Sequence, residues 1–564
     1  MADTTSADTV LGYREIASRL LDAGFAECFG LMGEDTAGLT TSLIAGGIAY
    51  RSARQENSAV SMADGFARAT GKVGLAIVSR GPGLLNASGA LASADRARSS
   101  LLVITGDGPL IEGRVAPPAL DLKSMDQVAA VTSLGIPTFR PERADEVVDL
   151  YEQALATARG GRVAVLSLPI TFMEGEIPAA APTGATNVPI APTAVDPDTD
   201  GVAAAAELIA ASDKVVVIGG RGAYLGDARD ALVELADRSG GALGTSLLSK
   251  SLFAGHPFDL GVVGGFSHQT ARDLLAEADC IVSFGAGLNR FTTAAGALLE
   301  SAQVIQVDAD PAQLGLRYPA DLTIEGDAAL TARAITALLP RREAGDGYRT
   351  EAVRARLAER AVDELFEDCS TAEKVDPRTL LIKLNEMVPA ARNVTIDCGH
   401  FVGYPAMYLD VPGPDHLFWS LHFGMLGIGH GMGLGVALAR PEEANVVVVG
   451  DGGALMTFGE LETLSRLRPK AIVVVLDDGA YIAEKHYLEL HGEPGEEAVF
   501  GHEVDFAGVA EKLGVESATI RSVADLEAQA PLIAAGGPLV LDVKIPIMRA
   551  GWYVESITGE FDES

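Results

Sequence analysis

Val446-Val447-Val448-Val449-Gly450-Asp451-Gly452-Gly453 is a short β-branched run that breaks into Gly-Asp-Gly-Gly; one helical stretch later, a second apolar run ends in Leu476-Asp477-Asp478-Gly479-Ala480-Tyr481. An uninterrupted Val/Ile run without alternation marks a strand buried on both faces, as in a parallel sheet. A strand that stops at Gly-Asp-Gly puts a carboxylate at the carboxyl edge of that sheet, where the following glycine amides can receive phosphate. A second carboxylate at the end of the next strand stands beside the first. Two carboxylate oxygens, a backbone carbonyl and diphosphate oxygens are the kind of set that octahedral Mg²⁺ takes. Gly-Asp-Gly alone is a common turn; the paired strand ends give it a meaning.

The same strand-then-helix alternation fills the rest of the 564 residues. Apolar runs at 74–78, 101–105, 215–218, 280–284, 304–307, 394–396, 446–449 and 472–476 read as buried parallel strands. Residues 57–69 read as a helix, because Ala59, Val60, Ala63, Phe66 and Ala67 recur at helical spacing. Two stretches lack any period: 174–200, rich in Pro, Ala and Thr, and 341–350, short, polar and Gly-containing. At roughly 100–200 residues per domain, the chain divides into an N-terminal domain over 1–173, a linker over 174–200, a central domain over 201–340, a linker and helix over 341–374, and a C-terminal domain over 375–564. A hydrophobic fraction of 48% with only 5% aromatic residues agrees with repeated buried strands under covering helices. The expected fold class is α/β, with three doubly wound parallel-sheet domains.

The formal net charge of −34 argues against a nucleic-acid or anionic-membrane partner, since both need clustered Lys and Arg. Cys28, Cys280, Cys369 and Cys398 are scattered and form no CxxC pair, against zinc and against a disulfide framework. The first ten residues, MADTTSADTV, lack the basic-then-apolar layout of a secretory signal, and no apolar run reaches the roughly 18 residues of a membrane span. The expected location is the cytoplasm.

The chain resembles the thiamine-diphosphate enzymes of the acetolactate synthase, pyruvate decarboxylase and benzoylformate decarboxylase superfamily over about 10–546. The resemblance implies pyrimidine-binding, central and diphosphate-binding domains in that order, with thiamine diphosphate and Mg²⁺ as cofactors. It implies Asp451, Asp478 and the Ala480 carbonyl as metal ligands, and Gly452, Gly453 and Tyr481 against the cofactor. Most members have Asn-Asn where this chain has Asp477-Asp478, so an extra negative charge stands beside the diphosphate. Arg54-Gln55-Glu56, Ala63-Asp64-Gly65-Phe66-Ala67-Arg68 and Gly71-Lys72 look like the family element that carries the cofactor-activating glutamate. A carboxyl group at Glu56 would then hydrogen-bond the pyrimidine N1′ and favour its imino tautomer. Gly81-Pro82-Gly83 with Asn86 matches the loop that follows, implying Pro82, Gly83 and Asn86 as cofactor contacts. In Phe423-Gly424-Met425-Leu426-Gly427-Ile428-Gly429 the family's apolar wedge falls on Leu426, and the Gly424 carbonyl would accept from the 4′-amino group. Asp397-Cys398-Gly399-His400 resembles a second diphosphate loop and assigns Gly399 and His400 to it. The central domain binds FAD or an adenine nucleotide in some members. Here Gly220-Arg221-Gly222 and Gly285-Ala286-Gly287 invite that reading, but Leu225 breaks Gly-x-Gly-x-x-Gly, so FAD is an option that is not favoured.

Positions that read the substrate in relatives are unusual. Gly33-Glu34-Asp35 falls where decarboxylases carry a catalytic Asp, which makes Glu34 a candidate proton donor. The adjacent-histidine pair of pyruvate decarboxylases is replaced by Glu112-Gly113-Arg114, and the Phe-Gln-Glu stretch of acetolactate synthases by Leu122-Lys123-Ser124. Arg80 takes a place usually held by a small residue; Arg80 and Lys123 are candidate substrate contacts. Tyr481-Ile482-Ala483-Glu484-Lys485 matches the pyruvate decarboxylase arrangement, with Glu484 as a proton donor, and His422 is expected to face the same cavity. The resemblance implies an acetolactate-synthase-like 2-oxo acid decarboxylase or carboligase (a lyase or transferase), a homodimer or homotetramer acting on a small 2-oxo acid or hydroxy ketone. An acyloin or 2-hydroxyacyl-thioester lyase is the alternative within that chemistry. From another class, a non-catalytic thiamine-diphosphate-binding regulatory paralogue is opposed by intact Glu56, Asp451 and Asp478.

Overall fold

The computed structural model describes residues 9–559 except 182, 192, 343–344, 346 and 359–365, so the start of the N-terminal stretch and parts of both linkers lie outside the described residues. Three six-stranded parallel sheets carry the chain. The first holds β1 (Glu27–Leu31), β2 (Ala49–Ser52), β3 (Gly74–Val78), β4 (Leu101–Asp107), β5 (Thr138–Phe139) and β6 (Val163–Pro169), in the order β2-β1-β3-β4-β6-β5. The central sheet holds β7 (Val215–Gly219), β8 (Ala242–Thr245), β9 (Asp259–Val262), β10 (Cys280–Phe284), β11 (Gln303–Asp308) and β12 (Leu322–Glu325), ordered β9-β8-β7-β10-β11-β12. The third holds β13 (Arg392–Ile396), β14 (Leu417–Trp419), β15 (Ala444–Gly450), β16 (Ala471–Asp477), β17 (Glu516–Ile520) and β18 (Leu539–Lys544), ordered β14-β13-β15-β16-β18-β17. The first and third sheets therefore share one topology, and the central sheet has another. This is the three-domain, doubly wound α/β architecture expected from the strand runs.

Alternation along each strand feeds cores on both faces of its sheet. Val447 and Val449 pack on one side of β15, and Val446 and Val448 on the other. On β3, Ala76 and Val78 oppose Leu75 and Ile77 in the same way. One of these cores is common to the N- and C-terminal domains, joining Phe29, Val78 and Val103 to Val447, Val473 and Val540. The helix Glu56–Thr70 and the helix Ile428–Ala439 lie between the two sheets and touch backbone to backbone. A Cβ on Gly65 would stand 2.2 Å from the Met432 carbonyl oxygen, and one on Gly435 2.0 Å from that of Met62. Any larger residue at either position forces these helices apart.

The stretch 174–200 reads as an irregular linker, yet its chain is docked. Glu176–Pro178 pairs antiparallel with Thr9–Leu11, and the Asn187 carbonyl accepts from the Val73 amide at 2.8 Å. No helix among the described residues is long and apolar enough to cross a membrane. The four cysteines are unpaired thiols, three of them buried.

Candidate active site

Gly450 at the end of β15 lies opposite Leu476 near the end of β16, so the two carboxylates that follow emerge side by side. Asp451 is buried, and its oxygens accept from the amides of Gly452 at 2.7 Å, Gly479 at 2.8 Å and Ala480 at 3.2 Å. Asp478, partly buried, accepts from the Ala480 amide at 3.1 Å. Burial pushes the Asp451 carboxyl far above the usual carboxylate range, reinforced by the charges of Asp478 and Asp477. Asp478 rises for the same leading reason, with Asp477 adding to it. Two desolvated carboxylates at one sheet edge are a site in want of a cation. Among the described residues no group of three or more His, Cys, Asp or Glu converges as a metal cage. Two carboxylates and a carbonyl fit a Mg²⁺ whose remaining oxygens come from a phosphate-bearing ligand. The neighbouring glycines leave no room for a side chain: a Cβ would come within 2.5 Å of the Tyr481 ring at Gly452 and of Asp397 Oδ2 at Gly453.

The turn before the helix Ile428–Ala439 is held from below by Asp397, to which the motif resemblance assigns no role. Its carboxylate accepts from the Gly427 amide at 2.8 Å and the Gly429 amide at 2.9 Å, and burial raises it to about 6. Gly424 and Gly427 both have positive φ, at 76° and 84°, so the turn needs glycine there. Leu426 and Gly424 line a cavity of about 270 Å³ together with Asp451, Gly452, Gly453, Asp478, Ala480, Tyr481, Glu484, Gly399 and His400. His400 is buried among His486, Trp552 and Tyr553, its ring centroid 4.8 Å from that of Tyr553. Burial and then His486 hold it down at about 3, so it is a neutral imidazole at physiological pH.

His422 is placed elsewhere, which corrects the expectation that it faces this cavity. It lines a separate space of about 270 Å³ with Arg221, Phe266 and Asn289 at the central domain. Burial, with Arg68 and Arg221 nearby, lowers it to about 3. The central-domain glycines have a packing role: a Cβ on Gly220 would sit 2.3 Å from the Gly285 carbonyl oxygen, and one on Gly222 2.8 Å from the Gly285 Cα.

Glu56 opens the helix Glu56–Thr70 and is buried, with Asn86 Nδ2 donating to its Oε2 at 3.1 Å. A Cβ on Gly83 would lie 3.1 Å from Glu56 Oε1, so this loop closes on the carboxylate. Pro82 and Asn86 are exposed, and none of Glu56, Pro82, Gly83 or Asn86 lines the cavity around Asp451. At the same edge of the first sheet, Lys123 Nζ is 3.2 Å and Arg80 3.6 Å from Glu34 Oε1. Arg80 is buried and also paired with Asp121, whose carboxylate accepts from Ser124 at 2.6 Å. Lys123 packs its backbone on Gly81, which puts this charged group next to the Gly81-Pro82-Gly83 loop. Glu34, Arg80 and Lys123 thus come together, as do the Glu56 group and the Asp451 group, each in its own place.

Lys544 answers the extra charge at Asp477. It stands across from Asp477 in the β16–β18 register, with Nζ 2.6 Å from Asp477 and 2.9 Å from Asp542, and all three side chains are at most 3% exposed. Lys544→Met leaves two buried carboxylates facing one another without a cation. We expect a loss of about 3–5 kcal/mol in denaturant unfolding; Lys544→Met with Asp477→Asn should recover part of it, and full stability of the single variant would contradict the pairing.

The chain matches three domain families in order: thiamine pyrophosphate enzyme, N-terminal TPP binding domain, over residues 12–129; the central domain of the same enzymes over 202–335; and their C-terminal TPP binding domain over 397–543. It belongs to the thiamine pyrophosphate enzyme superfamily. Curated relatives include a probable acetolactate synthase large subunit of Methanocaldococcus jannaschii, 28% identical over 87% of this chain and 84% of its own. A sulfoacetaldehyde acetyltransferase of Castellaniella defragrans is 27% identical over 89% and 87%, and a probable 2-ketoarginine decarboxylase of Pseudomonas aeruginosa 29% over 83% and 82%.

Proposed function

We propose that this chain is a thiamine-diphosphate- and Mg²⁺-dependent enzyme that makes or breaks the carbon–carbon bond beside the carbonyl of a 2-oxo acid. The observation that carries the reading is the pair of desolvated carboxylates, Asp451 and Asp478, at the end of two adjacent parallel strands beside side-chain-free Gly452 and Gly453. Asp451, Asp478 and the Ala480 carbonyl would hold the metal, and Gly399, His400, Gly452, Gly453 and Tyr481 would border the diphosphate. Thiamine diphosphate supplies the nucleophile and the electron sink for the bond that changes. Glu56, oriented by Asn86, would offer the pyrimidine a carboxyl group for proton exchange. Leu426 and Gly424, which line the cavity, would pack against the bound cofactor, with the Gly424 carbonyl as an acceptor for its amino group. Glu484, which lines the cavity, is the proton donor on the substrate side. Turnover of a panel of 2-oxo acids and 2-hydroxy ketones with thiamine diphosphate and Mg²⁺ tests the proposal. Turnover of the ketones alone would move the assignment to the acyloin lyase, and no turnover of either with the cofactor bound would favour the regulatory paralogue.

We further infer that two copies complete each site. The Glu56 loop presents exposed Pro82, Leu85 and Asn86, and the Asp451 helix exposes Leu455 and Met456; apolar surface beside two separated half-sites supports a shared interface.

Lys123 is assigned as the substrate-reading cation because Arg80 is buried and committed to Asp121, whereas Lys123 is part-exposed and its ion-pair partner, Glu34, is exposed. A cation gripping the reacting carboxylate would oppose CO₂ loss, in which that charge disappears, so Lys123 is assigned a distal acidic or polar group. Lys123→Met should raise KM for a dicarboxylic 2-oxo acid over that for pyruvate by about 1–3 kcal/mol. Equal effects on both substrates would refute the distal contact.

A further inference from the structure

Four cations converge on a cavity that the proposed chemistry does not use. Arg68, Lys72, Arg98 and Arg221 line a space of about 350 Å³ where the three domains meet, and Asp415 is the only carboxylate among its lining residues. Arg68 and Lys72 come from the end and exit of the helix Glu56–Thr70, Arg98 from the turn before β4, and Arg221 from the start of the short helix Arg221–Leu225 that follows β7. On a chain of net charge −34, this is a local inversion of sign.

The carboxylates nearby cancel it only in part, leaving Arg221 and Lys72 without an ion pair among the described residues. Asp415 is engaged by Arg440 at 3.0 Å and by His416 at 2.8 Å. Arg98 reaches Asp310 at 2.7 Å, and Arg68 reaches Asp64 at 3.4 Å and the Trp419 carbonyl at 3.2 Å. Among the described residues Arg221 makes no ion pair; it donates to the Ala97 carbonyl. Lys72 is exposed and its ammonium has no ion-pair or hydrogen-bond partner among the described residues. Burial lowers Arg221 to about 10, and the charges of Arg68 and Arg98 push the same way. A cation surplus held at a partly dry junction is relieved by a bound anion rather than by water alone.

We propose that this three-domain junction is a binding site for a small phosphate-bearing anion, separate from the Asp451 cavity. Guanidinium forks and an ammonium around one space suit a tetrahedral oxyanion, which offers several acceptor oxygens at once. The volume lies at the lower end of small-molecule sites, roughly 300–1,000 Å³, and Tyr224 and Phe418 give it an aromatic wall. Because all three domains contribute residues, an occupied site ties their packing together and raises stability by mass action.

The test uses holoenzyme saturated with thiamine diphosphate and Mg²⁺, so that the diphosphate site is filled. Inorganic phosphate is titrated against chloride at constant ionic strength, with succinate as the second probe, and binding is followed by calorimetry and by the shift in Tm. Wild type should bind phosphate saturably and more tightly than succinate. Arg221→Gln and Lys72→Gln should each weaken phosphate by about tenfold, with turnover in phosphate-free buffer unchanged in Lys72→Gln. Lys72 is exposed and partnerless, so its variant decides the matter if Arg221→Gln does not fold. Absence of saturable phosphate binding in wild type, or unchanged affinity in Lys72→Gln, would overturn the site. Succinate binding as tightly as phosphate would overturn the ligand class.

Discussion

Asp451→Ala should abolish metal-dependent binding of thiamine diphosphate. Losing an outer partner of a metal ligand typically costs 10–100-fold in affinity, so losing a ligand itself should cost more than about 100-fold. The electrostatics point the same way: without the cation, a diphosphate would approach Asp478 and Asp477 as a like charge, and only Asp477 has a buried counter-ion in Lys544. Asp451 also accepts three backbone amides, so the alanine variant needs a structural control. Asp451→Asn keeps the shape with one oxygen acceptor and should fold as wild type by circular dichroism while still binding cofactor poorly. Calorimetry showing undiminished, Mg²⁺-dependent binding in both variants would remove Asp451 from the metal site.

Glu56→Gln should leave the fold and the cofactor affinity nearly intact and slow turnover by about 10²–10⁴-fold, the worth of a positioned acid–base group. Gln keeps the size of the side chain and can still meet Asn86 through its carbonyl oxygen, so stability is expected to change little. What it cannot do is exchange a proton with the pyrimidine nitrogen. Hydrogen–deuterium exchange at C2 of bound thiamine diphosphate reads this step without any substrate. Exchange at the wild-type rate would end the assignment.

Most of the sheet framework was legible in the sequence, for a physical reason. The runs at 215–218 and 472–476 are buried on both faces and continuously apolar, and that at 280–284 is interrupted only by buried Ser283. The edge strands Thr138–Phe139 and Asp259–Val262 are short and partly exposed, so they leave no such signature. Local motifs single out Glu56, Asp451 and Asp478 as candidates, because Glu56 opens a helix and the two aspartates follow strand ends beside glycines. Lys544 was not visible, since its tie to Asp477 comes from strand register across 67 residues. In the sequence Asp397 is visible only as part of a loop; its grip on the Gly427 and Gly429 amides depends on a turn 30 residues away. His422 was misplaced because proximity to the wedge turn in sequence does not fix the direction of a side chain that faces the central domain. The cluster of Arg68, Lys72, Arg98 and Arg221 is scattered over two domains and is brought together only by their packing.

The central claim is that one chain supplies the Glu56 half-site and a second chain the Asp451 half-site. Mixing inactive Glu56→Gln and Asp451→Ala subunits tests it most directly, with exchange proven by differently tagged copies. If the site is shared, a mixed pair carries one doubly altered site and one site with both native residues, so activity should return to about a quarter of wild type for random pairing into dimers. No recovery in proven heterodimers would contradict the account and put the complete site within a single chain.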